Sequence, residues 1–250
     1  MKYKQLCLFF SALVFCGCTS ELFQPQPRSF SEGDLSSCAS RDCPNITIDY
    51  LLYAPQNKRE IQLNKAITSF IAASLYLEDP KKEPTALTIE EAANGFVDSY
   101  WRDHAEFPDL AAAYFVEASV TETHRDDLFL SLEFKQYKYT GGAHGYHDVS
   151  YNNFDMKTGK ELTNQSLFKH YDAFSEFAEI EFRKAFSISQ KSNINANYFW
   201  FNGNTFTMPS SLGFFQDSLV LHYNQHEIAS YTDAPVILSI PLDKVKEFMK

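Results

Sequence analysis

The chain changes its hydrophobic period twice, and those changes divide it into elements. Residues 46–51, Ile-Thr-Ile-Asp-Tyr-Leu, alternate apolar and polar positions as a half-buried strand does. From 61 to 77 the period becomes helical, with Ile67, Phe70, Ile71, Ser74 and Leu75 on one face. A second helix is predicted to start at Thr88, where Thr88 and Glu91 have capping-box spacing. Its stripe is Ile89, Ala92, Phe96, Val97, Tyr100 and Trp101. The period then returns to two. Tyr114, Val116, Ala118 and Val120 alternate with polar residues, a turn follows at 124–127, and Leu128, Leu130, Leu132 and Phe134 alternate back.

Further strands are expected at 149–156 and, short and interrupted by turns, at 199–208. Two closing strands are read at 219–223 and 236–240. Residues 163–168 read as a short turn or helix. A clear helix is predicted over 171–187, a loop over 191–197 and a last short helix over 242–249. Helices and strands segregate instead of alternating as βαβ units, which makes the fold class α+β.

Three of the nine glycines fall within residues 141–145, in Tyr139-Thr140-Gly141-Gly142-Ala143-His144-Gly145 between two strands. Such a run lets the backbone take positive φ or approach a neighbour closely. Tyr146, His147 and Asp148 follow, making this the most polar and best-armed loop of the chain. Candidate binding residues are Tyr139, Gly141, Gly142, His144, Tyr146 and His147. His144, His147 and Asp148 would share a metal only if they converged. The glycines oppose a helix here, and in a strand positions i and i+3 point to opposite faces. The loop therefore reads as a structural or ligand-binding turn, with no catalytic residue, metal or cofactor assigned to it. The alternative is an envelope hydrolase using His144, His147 and Asp148. The sequence holds no nucleophile elbow, zinc-protease helix motif or phosphate-binding loop.

The amino terminus changes the picture of where the chain works. Lys2 and Lys4 precede an apolar run at 6–15, too short to span a bilayer and of signal-peptide length. Phe15-Cys16-Gly17-Cys18 resembles a bacterial lipobox, which implies a signal peptide at 1–17 and lipidation of Cys18. Cys16 is the other candidate, but Phe15 is bulky for the position before the cut. Residues 18–42, rich in Ser, Pro and Gln, are expected to be the lipidated cysteine and a flexible tether. Outside the cytoplasm, Cys38 and Cys43 have no thiol competitor left and are expected to pair as a disulfide. The expected localisation is the bacterial cell envelope, lipid-anchored and extracytoplasmic, on a periplasmic or outer-membrane face. Formal charge is −10, and −12 once residues 1–17 with their two lysines are removed. Such an acidic chain is a poor nucleic-acid binder and a better partner for cations.

Three motifs carry a resemblance. Residues 139–145, then Asn153-Phe154-Asp155-Met156-Lys157-Thr158-Gly159-Lys160-Glu161-Leu162, then Ser166-Leu167-Phe168 are similar to the core of the RsiV-like C-terminal domain, DUF3298. Gln225-His226-Glu227-Ile228-Ala229-Ser230-Tyr231, followed by residues 236–241, resembles the closing motif of that family, with His226 and Ser230 as departures. Residues 43–125 resemble the companion N-terminal half, DUF4163, more faintly, through Tyr53-Ala54-Pro55-Gln56. The resemblance implies one compact unit, split as 43–125 and 126–250, of helices on a mixed or mostly antiparallel sheet. Together with the −12 charge, it motivates the expectation of a non-catalytic binding role toward a protein, such as a cationic enzyme of lysozyme type, or toward a cell-wall ligand such as peptidoglycan. The membrane would be contacted through the lipid anchor only.

Overall fold

The computed structural model describes residues 23–79, 81–108, 112–230 and 235–250. The expected signal segment 1–17 and the expected lipidation site Cys18 lie outside the described residues, as does Tyr231 of the expected closing motif. The architecture is α+β, with helices on a mixed sheet as expected, but the strands form two sheets. The large sheet has six strands in sequential order: β1 (Gln26–Ser31), β2 (Asn45–Leu52), β3 (Phe115–Arg125), β4 (Phe129–Tyr139), β5 (Tyr146–Asp155) and β6 (Glu161–Leu162). Among the described residues only the β2–β3 pairing is parallel, with Ile46 opposite Val116. That single crossover is made by α1 (Lys58–Leu75) and α2 (Ile89–Glu106). The small antiparallel sheet is β7 (Ser211–Phe215), β8 (Ser218–Tyr223) and β9 (Val236–Pro241), backed by α3 (Tyr171–Ala185) and followed by the single turn α4 (Leu242–Val245).

Each sheet presents one apolar face to helices. Ile46, Ile48, Val116, Ala118, Val120, Leu130, Leu132 and Phe134 meet Leu63, Ile67, Ile71, Phe96 and Val97 of α1 and α2 in the first core. Leu212, Phe214, Leu219, Leu221, Tyr223, Leu238 and Ile240 meet Phe174, Ala178 and Phe182 of α3 in the second. The remaining faces turn toward each other over part of their area, giving the order helices, sheet, sheet, helix. Gly213 is the contact point, because a Cβ there would lie 2.3 Å from Cβ of Tyr151.

Several expectations change. Residues 26–31 belong to the large sheet and not to a tether. Pro27 is accepted because β1 is an edge strand with one side unpaired, and Phe30 packs on the first core. Glu32 closes the connection by accepting from the Ile46 N–H at 2.8 Å. The disulfide between Cys38 and Cys43 forms as expected. Helix α1 starts at Lys58, ahead of the first apolar residue, since Asn57 and Glu60 make a complete capping box. At α2 half of the expected box forms: Thr88 accepts from Glu91 N–H, but Glu91 caps Leu87 N–H instead of Thr88. Strand β5 starts at Tyr146, three residues early. Residues 199–208 contain no strand and fold as a 3-10 turn at Asn202–Asn204 between irregular stretches, because the rings of Phe199, Phe201 and Phe206 cluster around Phe182. Strand β7 was not anticipated. The carboxy-terminal helix ends at Val245, and Met249 forms a bridge to Phe168. The boundary drawn at 125/126 falls at the turn of the β3–β4 hairpin.

The family-like motifs turn out to be backbone devices. Asp155 accepts from the N–H groups of Lys157 and Thr158 and from the Thr158 hydroxyl, shaping the turn to β6. Gly159 closes that turn with φ +67°, and a Cβ there would lie 2.4 Å from the Arg59 carbonyl oxygen. Glu227 of the closing motif accepts from the N–H groups of Ser210 and Asn224.

Candidate functional site

Strand alternation decides which of the predicted site residues share a surface. Successive residues of β5 point to opposite faces. Tyr146, Asp148, Ser150 and Asn152 share the helix-facing side with Phe154, whereas His147, Val149 and Tyr151 lie on the other side, where Val149 and Tyr151 meet the small sheet. His147 and Asp148 therefore leave β5 from opposite faces, and His144 lies in the loop before the strand. Among the described residues no group of three or more His, Cys, Asp or Glu is placed to hold a metal.

Asp148 lines a polar pocket of about 330 Å³ with Ser150, Asn152, Glu161, Asn164 and Asn224. Burial raises its pKa above the usual carboxylate value, against the opposing pull of His147 and a hydrogen bond from Tyr146. The Asn224 side chain fills both backbone valences of Val149 on the free side of β5, donating to its carbonyl and accepting from its N–H. That amide closes an edge which would otherwise pair with another strand.

The glycine loop is a built corner. Gly141 and Gly142 adopt φ +95° and +94°, a region closed to most side chains. Tyr139 donates its hydroxyl to the Gly142 carbonyl at 3.0 Å, tying the loop to its own strand. Gly145 lets the chain pass against the Tyr137 ring, which a Cβ would approach to 2.6 Å. Thr140, Gly141 and Gly142 also line a cleft of about 440 Å³ with Asp103, His104 and Tyr114.

A further open surface is one the sequence did not single out. Helices cover one face of the large sheet, and the small sheet covers the other only around Thr123, Ser131 and residues 149–153. Among the described residues nothing covers the rest of that second face, across β2, β3 and β4. A concavity of about 380 Å³ lies there, lined by Thr47, Asp49, Glu117, Lys135, Tyr137 and His147. Phe115 stands between Tyr137 and Tyr139, with ring centroids 5.3 and 5.6 Å away, so an aromatic ridge borders the floor. Of the predicted binding residues, Tyr139 and His147 belong to this face. Gly141 and Gly142 shape the loop beside it, and Tyr146 lies on the opposite side. The signal that could have found the rest was the polar register of β2 and β3, Thr47, Asp49, Glu117 and Ser119, on a face with no helix to meet it.

At the seam between the sheets, this floor runs into a polar cluster. Tyr151 donates to Glu133 at 2.6 Å, and Lys135 pairs with the same carboxylate at 2.8 Å. Burial, and then the bond to Glu133, pushes the Tyr151 phenol up from its ordinary value. His222 of β8 is 4% exposed, and its Nε2 has no hydrogen-bond partner among the described residues. Burial depresses its pKa; Glu133 opposes that and His147 adds to it. The arrangement offers hydroxyls, carboxylates and aromatic faces, which bind sugars and cationic side chains by hydrogen bonding and stacking.

A family model described as "Deacetylase PdaC" matches residues 37–147. No curated protein matches the chain. A DUF3298 family protein from Pseudomonas aeruginosa PAO1 is similar in structure, with TM-score 0.60 and 21% identity over 91% of this chain and 93% of that one. A DUF3298 family member from Bacteroides fragilis NCTC 9343 superposes with TM-score 0.66 and 19% identity, over 91% and 92%. At these identities the likeness shows the fold, which is that of the DUF3298 structures.

Proposed function

We propose that this chain is a cell-envelope lipoprotein, acylated at Cys18, whose RsiV-like domain binds a protein or cell-wall ligand without catalysing a reaction. The observation that carries the reading is the bare face of the large sheet, where Asp49, Glu117, Tyr137 and His147 form a polar, aromatic-edged floor. Asp49 and Glu117 are exposed there, and the chain as a whole is acidic. A cationic protein of lysozyme type suits this charge, and electrostatic steering would speed its arrival. Peptidoglycan is the second ligand, through stacking on Tyr137.

The name of the matched deacetylase model raises a catalytic alternative, and the hydrolase built on His144, His147 and Asp148 is its form in this chain. The separation of His147 and Asp148 on opposite faces of β5 speaks against it. Calorimetric titration of the purified domain with a lysozyme-type enzyme, and co-sedimentation with peptidoglycan, test the binding reading. Binding that falls at least tenfold in Asp49→Lys/Glu117→Lys supports it. Absence of binding to both ligands at low salt rejects it.

A further inference from the structure

The register of the large sheet gives it two distinct ends. Gln26, Leu52, Arg125, Phe129 and Asp155 lie at one; Ser31, Asn45, Phe115, Tyr139 and Tyr146 lie at the other. The eleven residues of β3 separate the ends by about 33 Å. The described chain enters at the first end, and it enters pinned. The Phe23 ring stacks on Tyr53 at 5.0 Å between centroids. The guanidinium groups of Arg59 and Arg125 lie 3.7 and 4.6 Å from its centroid, and Arg125 donates to the Phe23 carbonyl. Glu60 and Glu122 neutralise those two arginines, so their task is to hold the chain.

This pinning shortens the leash. Only residues 19–22 separate Cys18 from Phe23. Five peptide steps reach at most about 18 Å when fully extended. A lipid on Cys18 therefore cannot let the domain swing freely, as a tether through residue 42 would have allowed.

We infer that the Phe23 end of the large sheet rests on the bilayer that holds the lipid, and that the glycine loop with the bare sheet face beside it points away into the envelope space. The inference rests on the anchored-lipoprotein reading and adds an orientation to it. The chemistry of that end fits a headgroup layer. Leu52 and Leu128 are 36% and 58% exposed. Lys58, adjacent to Arg59, and Lys157 and Lys160, flanking the Gly159 turn packed on Arg59, are exposed. None of these three lysines is in a salt bridge among the described residues. Long lysine stems reach phosphates while their apolar portions lie along the interface. Several acids at this end are engaged: Asp126 and Asp155 bind backbone N–H groups and Glu161 binds Asn152, leaving Asp127 and Asp217 toward solvent. A surface of this kind sits on a bilayer without binding it independently of the anchor.

The test uses the full lipidated chain in phosphatidylethanolamine/phosphatidylglycerol vesicles, labelled with one fluorophore at Lys157→Cys or at Ala143→Cys, with nitroxide-headgroup lipid as quencher. Quenching at least threefold stronger at position 157 than at 143 supports the orientation. Insertion of twelve Gly/Ser residues after Ser20 should then erase most of the difference. Equal quenching at the two positions, stronger quenching at 143, or a difference that survives the insertion unchanged overturns it. Mass spectrometry of the same sample separates the two levels of failure. Unacylated Cys18 rejects the lipoprotein reading together with the orientation; acylated Cys18 with equal quenching rejects the orientation alone.

Discussion

The side-chain amide of Asn153, in the large sheet, donates a 2.8 Å hydrogen bond to the carbonyl of Leu212 on the edge of the small one. Ser131 completes the arrangement by accepting from the Phe214 N–H at 3.1 Å. Both side chains are almost completely buried. Among the described residues strand β7 has no strand partner on this side, and a buried backbone group left unpaired costs more than the bond it would make contributes. Two side chains thus do for β7 what a tenth strand would otherwise do.

Removing that support has a defined consequence. Asn153→Ala leaves the Leu212 carbonyl without its partner and should destabilise the fold by about 1–3 kcal/mol. Urea denaturation measures this. Ser131→Ala should have an effect of similar sign and couple with it, because both hold the same edge. A loss below about 0.5 kcal/mol would show that the amide is dispensable.

Gly213 is required by distance and not by backbone conformation. An added Cβ would fall 2.3 Å from Tyr151 Cβ, so Gly213→Ala should force the sheets apart at a cost on the order of 3 kcal/mol. Gly213→Ala combined with Tyr151→Ala should be less destabilised than the sum of the single changes. Thermal and chemical melts of the four proteins in the cycle check this.

His222 gives stability a dependence on acidity. Its folded pKa is lowered from 6.5, chiefly by burial, so the folded state resists the proton that the unfolded chain accepts. The unfolded state binds more protons as pH falls below about 6.5, and stability falls with it, at most by about 1.4 kcal/mol per pH unit. Above that range both states are neutral and the effect vanishes. Denaturation midpoints of wild type and His222→Gln between pH 7.5 and 5 should therefore converge in slope only at the upper end. Parallel curves throughout would contradict this.

The contact between Gly145 and Tyr137 links the glycine loop to the bare sheet face. Gly145→Ala should displace the Tyr137 ring and weaken ligand binding several-fold with little change in melting temperature. In Tyr137→Ala the same glycine change should have little further effect, since the clash is gone. Titration against whichever ligand binds the wild type measures both.

The Cys38–Cys43 bridge closes a loop with a sequence separation of five. Its removal in Cys38→Ser/Cys43→Ser should lower stability by about 2 kcal/mol on the chain-entropy account. Reductant should reproduce that loss in the wild type and leave the double variant unchanged.

By itself the sequence determined whatever local patterning controls. The periods of 46–51, 61–77, 88–101, 114–134 and 171–187 placed their elements within a few residues, because one buried face enforces a repeat. The turn glycines and the cysteine pair were legible for the same local reason. The tertiary structure decided what depends on partners distant in the chain. Strand β1 exists because β2 supplies its hydrogen bonds, although its own composition reads as a linker. Strand β7 exists because Ser131 and Asn153 receive its edge, and residues 199–208 fold around Phe182 instead of pairing. The loop motif of glycines and histidines was visible from the start. Its histidine and aspartate, adjacent in sequence, part to opposite faces of β5. Sequence adjacency carries no direction until the register of a strand assigns one.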